Sequence, residues 1–152
     1  MPAAASALLC LVIAIGDGDS LTVRCGGHRP MRVRVAAIAA PERRQAFGQR
    51  ARQHLAQLCF RQHARLHTLG HDAYGRTLAH VRCNGQDVAA AQVRAGLAWV
   101  YRAGDRALQQ LERHARASRS GLWVQKRPMA PWDYRRRHQA VNTFSARLSR
   151  RG

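Results

Sequence analysis

The apolar positions of this chain follow two different rhythms, and the change between them separates strands from helices. Residues 8–15 (LLCLVIAI) are an unbroken apolar run, as in a strand buried on both faces. The cluster Gly16-Asp17-Gly18-Asp19 predicts a turn. Residues 20–25 (SLTVRC) then alternate, with Leu21 and Val23 on one face. After Gly26-Gly27, residues 31–38 (MRVRVAAI) alternate apolar residues with arginine, the pattern of a half-exposed strand. Three strands joined by short turns predict a meander, which Pro41 closes.

The period then lengthens. Phe47, Ala51, Leu55 and Leu58 lie four, four and three residues apart, which puts one apolar stripe on a helix from about Arg44 to Cys59. Residues 63–69 and 77–83 predict two more strands around the polar loop HDAYGR. A short helix follows from about Gln86 to Ala95, stopped by Gly96. Asp105 is a suitable N-cap for a last helix carrying Leu108, Leu111 and Ala115, with Gly121 at its end. The order is three strands, helix, two strands, helix, helix. This α+β layout, five short strands with a helix after the third, matches a five-stranded OB-type β-barrel with three helices. From Lys126 to Gly152 the chain predicts a basic tail, broken by Pro128 and Pro131 and loosely held. No internal repeat is visible, and 152 residues predict one domain, over about residues 8–125.

Composition adds a partner. Lys and Arg number 26 against 8 Asp and Glu, a formal charge of +18. Such a surface gathers polyanions before any specific contact forms, and nucleic acid is the commonest. Lys126 is the single lysine, so the excess is arginine spread over solvated faces, and an anionic membrane surface competes as a partner. Stable insertion into a membrane is not expected. The longest apolar run, Ala3 to Ile15, is shorter than the roughly 20 residues a bilayer requires. Ala5-Ser6-Ala7 has the small-x-small form of a cleavage site, so residues 1–7 read either as the remnant of an export signal or as an ordinary terminus.

Cys10, Cys25, Cys59 and Cys83 allow three pairings. Cys10 and Cys25 are equidistant from the turn at Asp17-Gly18. A hairpin there would set them opposite each other and leave Cys59 and Cys83 as a second pair. The even count favours an oxidising compartment, secreted or periplasmic, with the cytoplasm as the alternative. Four buried free thiols are the alternative.

Four clusters could carry chemistry. Asp17-Gly18-Asp19-Ser20 offers carboxylates to a hard cation, or is simple turn chemistry. Arg34 lies on the third strand, with Glu42 just after Pro41. Asp72-Ala73-Tyr74-Gly75-Arg76 occupies the loop between the fourth and fifth strands. Gly96-Leu97-Ala98-Trp99-Val100-Tyr101 is an apolar and aromatic stretch suited to packing or to stacking on bases. His63 and His67 do not converge on an ion from a strand, and no H-E-x-x-H is present.

The order of these clusters is more specific than any one of them. DGDSLTV, RVRVAAIAAPE, FG..A, DAYGRTLAHV, GLAWVY, GLW and PWDYRR in succession resemble the staphylococcal nuclease (thermonuclease) family, over roughly Cys10 to Arg136. The resemblance implies the barrel with three helices. It places Arg34, Glu42 and Arg76 at the catalytic positions, and Asp19, with the backbone carbonyl of Ala40, at a calcium site. It sets Asp72, Tyr74 and Tyr101 around the nucleotide pocket. The cofactor it implies is Ca2+, and the partner is DNA or RNA, single-stranded or frayed, acted on by a monomer. Two departures stand out. The family's second calcium-ligand Asp is Ala39 here, and a common Asn is Ala89. Calcium wants six to eight oxygens, so loss of a carboxylate weakens such a site. The implied activity is metal-assisted hydrolysis of phosphodiester bonds by an endonuclease, with Glu42 as general base and two arginines on the transition state. The competing expectation is a barrel that binds nucleic acid but has lost catalysis through Ala39.

Overall fold

The computed structural model describes residues 7–101 and 105–150. Residues 1–6 of the supposed signal remnant lie outside them, and Ala7 already belongs to the first strand. In chain order the elements are β1 Ala7–Ile15, β2 Ser20–Arg24, β3 Met31–Val35, β4 Ile38–Ala39, α1 Gly48–Cys59, β5 His63–His71 and β6 Thr77–Cys83. There follow β7 Gln86–Asp87, α2 Val88–Arg94, β8 Trp99–Val100, α3 Arg106–Ala117, a 3-10 turn Gly121–Val124 and α4 Pro131–Ser149.

The five long strands pair in the order β3-β2-β1-β5-β6, and a parallel pairing of β3 with β6 closes the ring. This is the five-stranded α+β barrel that the strand order predicts. Val12, Val23, Val33, Val35, Leu66 and Val81 fill its interior, and each is essentially inaccessible to water. Helix α1 turns Ala51, Leu55 and Cys59 onto the same core. Cys10 and Cys25 are bonded across the β1–β2 hairpin, with Cα atoms 4.3 Å apart. Cys59, at the end of α1, is bonded to Cys83 at the end of β6.

Several boundaries differ from those expected, each for a local reason. The predicted strand 31–38 breaks at Ala36-Ala37, where Ala37 adopts a left-handed conformation (φ 72°). The chain then re-forms as β4, which pairs with β8 outside the barrel. Helix α1 starts at Gly48 rather than Arg44, because Phe47 is left-handed (φ 68°) and cannot extend the helix backwards. Gln86 and Asp87 form a strand pair with β6 before the Asp87 carboxylate accepts the N–H of Ala90 and caps α2. Asp105 caps α3 as expected, accepting from Leu108 N–H at 2.8 Å. That helix ends at Ala117, and Gly121 instead opens the 3-10 turn.

The largest correction concerns the tail. Its first part, residues 129–135, is held against the rest of the chain. Pro131 sits in the first turn of α4, where its fixed φ suits a helix start and its missing N–H costs nothing. Trp132 packs edge-on to Trp99 with centroids 5.8 Å apart and leans on Tyr101 at 5.7 Å. Gln45 donates from Nε2 to the Met129 carbonyl at 2.5 Å. A fourth α-helix is therefore docked beside the segment that carries Glu42. Among the described residues no helix is long and apolar enough to cross a membrane.

Candidate active site

Four separate stretches meet where β3 pairs with β6. The turn before β2 brings Asp17 and Asp19. It can approach α1 because position 18 is glycine: a Cβ there would lie 2.5 Å from that of Ala51. Strand β3 brings Arg32 and Arg34, two residues apart and so on one face. The loop before β6 brings Asp72, Tyr74 and Arg76. Glu42 follows β4, and its carbonyl accepts the N–H of Gln45 at 2.8 Å. Gly48 must also lack a side chain here, since a Cβ would fall 2.0 Å from the Glu42 carbonyl oxygen.

A cavity of about 300 Å3 results, lined by Asp17, Asp19, Arg32, Arg34, Ala40, Glu42, Tyr74, Arg76 and Arg135. It contains all three residues expected to be catalytic. A neighbouring groove of about 730 Å3 shares Arg34, Tyr74, Arg76 and Arg135 with it and adds Asp72, His80 and Tyr101.

The arginines are held by fixed acceptors. Arg34 Nη1 donates to the carbonyls of Val35 and Ile38, each at 2.6 Å, and lies 3.7 Å from Asp19 Oδ2. The break after β3 is what turns the Ile38 carbonyl back towards it. Arg76 Nε donates to Asp72 Oδ2 at 2.7 Å. The other oxygen, Oδ1, accepts the backbone N–H groups of Tyr74 and Arg76 at 2.9 and 3.0 Å. Asp72 therefore spends both oxygens on its own loop. It orients Arg76 while still lining the neighbouring groove. Burial pushes the Asp72 carboxyl up, but the hydrogen bonds from Arg76 and Tyr74 together outweigh it and hold it below the usual aspartate range.

Glu42 is in a different environment. Partial burial raises its carboxyl above the ordinary range. Arg135 opposes that shift, while the charges of Asp17 and Asp19 add to it. Asp17 is raised as well, by burial first and by Asp19 second. Glu42 Oε1 lies 3.3 Å from Arg135 Nε of α4. A carboxylate poised nearer neutrality, with guanidinium groups facing the same space, suits proton abstraction beside a bound phosphate. Tyr74 is largely exposed at the rim, and its carbonyl accepts from Arg32 at 2.8 Å. Tyr101 lines the groove, with its backbone N–H donating to the Ala37 carbonyl.

The donor set does not fit calcium well. Ala39 is buried and offers no side-chain oxygen. Asp19 Oδ2 already accepts the Ala40 N–H at 2.8 Å and faces Arg34. Among the described residues no group of three His, Cys, Asp or Glu side chains could hold a metal ion.

Residues 32–125 match the family model described as staphylococcal nuclease homologue. This chain belongs to the staphylococcal nuclease family. Among its relatives is a protein named uncharacterized endonuclease from Haemophilus influenzae, 38% identical over 137 residues, covering 89% of this chain and 77% of that one. A protein named ParB from Escherichia coli is 43% identical over 138 residues, covering 82% and 77%. The micrococcal nuclease of Shigella flexneri is 41% identical over 138 residues, covering 82% and 79%.

Within this member of the staphylococcal nuclease family, two site residues escape a reading of sequence. Arg32 was legible in principle, since M-R-V-R-V puts it on the same strand face as Arg34. Arg135 was not, because its position depends on the tail folding back. The motif P-W-D-Y-R-R contains it, but that motif alone does not say which of its side chains reaches the cavity.

Proposed function

We propose that this chain is an endonuclease that hydrolyses the phosphodiester bonds of DNA or RNA, with Glu42 as general base and Arg34 and Arg76 as the cations on the transition state. One observation carries this reading: a carboxylate with a raised pKa and two oriented guanidinium groups line a single cavity of about 300 Å3. Water in the cavity adds to phosphorus as its proton passes to Glu42. Negative charge builds on the non-bridging oxygens, where Arg34 and Arg76 donate in the planar fork that guanidinium presents to phosphate. Preoriented donors stabilise that charge more than they stabilise the bound substrate. The P–O5′ bond breaks and the departing O5′ takes a proton from solvent, leaving a 3′-phosphate and a 5′-hydroxyl. Tyr74 and Tyr101, along the groove, suit stacking on unpaired bases. The two bonded cysteine pairs support work in an oxidising compartment, secreted or periplasmic.

The test incubates the purified protein with denatured DNA and with RNA, in calcium, in other divalent ions and in chelator. Arg34→Ala or Glu42→Ala should each lower the cutting rate by about two to three orders of magnitude, with the fold retained by circular dichroism. Near-full activity in either variant rejects the assignment. Ala39 favours a second reading, a barrel that binds nucleic acid without cutting it. Tight binding with no cleavage under any ion condition selects that reading.

A further inference from the structure

We propose that Arg135, on the C-terminal helix, is a substrate-binding residue that exchanges Glu42 for the phosphate next to the one being cut. The proposal rests on the nuclease reading of the same cavity. Arg34 and Arg76 are tied to protein acceptors at 2.6–2.7 Å. Arg135 is different. Its root is fixed, because Trp132 three residues earlier packs on Trp99 and Tyr101. Its tip is about half exposed, and its ion pair is the 3.3 Å approach to Glu42. Exposed pairs of this kind are weak and screened by salt. A phosphate diester offers a guanidinium two oxygens in the geometry it prefers.

Position supports the exchange. Arg135 lines both the catalytic cavity and the groove leading to Tyr101 and His80. A strand with one phosphate in the cavity runs on past Arg135, so its neighbouring phosphate meets that side chain. Binding then does two things together. It satisfies Arg135, and it releases the Glu42 carboxylate to face water. In the resting state the pair keeps a half-buried carboxylate compensated, so that the base is freed by substrate of sufficient length. The substrate class this selects is an oligonucleotide carrying a phosphate beyond the scissile one, rather than a lone diester.

The experiment compares the intact protein with Arg135→Ala and Arg135→Lys, using Arg94→Ala as a charge control that lines neither space. Binding of a fluorescent single-stranded oligonucleotide is measured by anisotropy across salt concentrations. Turnover is measured on that oligonucleotide and on a p-nitrophenyl nucleotide diester with a single phosphate bridge. Thermal melts check folding. Arg135→Ala should weaken oligonucleotide binding and raise its KM about tenfold, as expected for loss of one charge-assisted contact. The salt slope should fall by about 0.7, one phosphate's share on a single strand. The small diester's KM should change less than about twofold, and Arg135→Lys should recover part of the loss. Unchanged oligonucleotide affinity and KM overturns the proposal. Equal loss of kcat on both substrates, with affinity intact, also overturns it, because Arg135 would then act through Glu42 alone. If the intact protein cuts neither substrate yet Arg135→Ala still weakens binding beyond Arg94→Ala, the nuclease reading fails while the Arg135 contact stands.

Discussion

Asp72→Asn isolates how Arg76 is aimed. The asparagine keeps a carbonyl oxygen for the N–H groups of Tyr74 and Arg76, so the loop retains its turn. On the other side an amide NH2 replaces the Oδ2 that accepts from Arg76 Nε at 2.7 Å. A donor then faces a donor. A hydrogen bond to a charged group contributes about 1.5–3 kcal/mol, and partial exposure of this pair, 24% and 21% for the two side chains, points to the lower end. For a chain of this size that corresponds to a melting point roughly 3–6 °C lower. Removing a transition-state donor outright costs about 100- to 1000-fold in rate. An arginine still charged but misaimed should lose a part of that, about 10- to 100-fold in kcat. Differential scanning calorimetry and single-turnover cleavage of an oligonucleotide provide the readouts. Because the effect runs through Arg76, Asp72→Asn combined with Arg76→Ala should be no slower than Arg76→Ala alone. The stability difference also has a pH signature. Folding lowers the Asp72 pKa, so its contribution is present above the unfolded value of about 3.9 and disappears as pH falls through the folded value. Unchanged melting and turnover in Asp72→Asn, or multiplied rate losses in the double variant, would refute the reasoning.

Two further predictions concern the base and the ion. The acid limb of the kcat/KM profile should lie above the ordinary glutamate value of about 4.3, because burial raises Glu42 and the base works only when ionised. A limb at or below that value removes Glu42 from the role. Ala39→Asp restores the carboxylate found elsewhere in the family, and should tighten calcium binding at least about tenfold by isothermal titration, on the scale set by ligand charge. An unchanged isotherm would show that Ala39 is not what limits the site.

Much of the barrel was legible because each strand carries its own signal. The arginine alternation of β3 and the apolar run of β1 fix faces without help from distant residues. The boundaries that shifted depend on single dihedrals. Ala37 and Phe47 are left-handed, and neither residue type advertises that conformation. The motifs around Arg34, Glu42 and Arg76 named three residues that the fold brings to one cavity. Their partners were harder to see. The role of Asp72 emerged only when its two oxygens were found occupied within its own loop. Helix α4 was hidden because Pro128 and Pro131 resemble breakers, and because Trp132 gains its partners only after the barrel has formed.

The parallel seam between β3 and β6 has a consequence for when activity can exist. Arg34 lies opposite Leu78 in that seam, two residues past Arg76. The two guanidinium groups thus owe their proximity to the single pairing that converts an open sheet into a ring, and it joins segments far apart along the polypeptide. Such distant pairings are slow to form and are not encoded in any one stretch. A chain with every hairpin in place but the ring unsealed would keep its affinity for polyanions and be unable to cut them. A cleavage that needs both guanidinium groups therefore needs this long-range pairing as well.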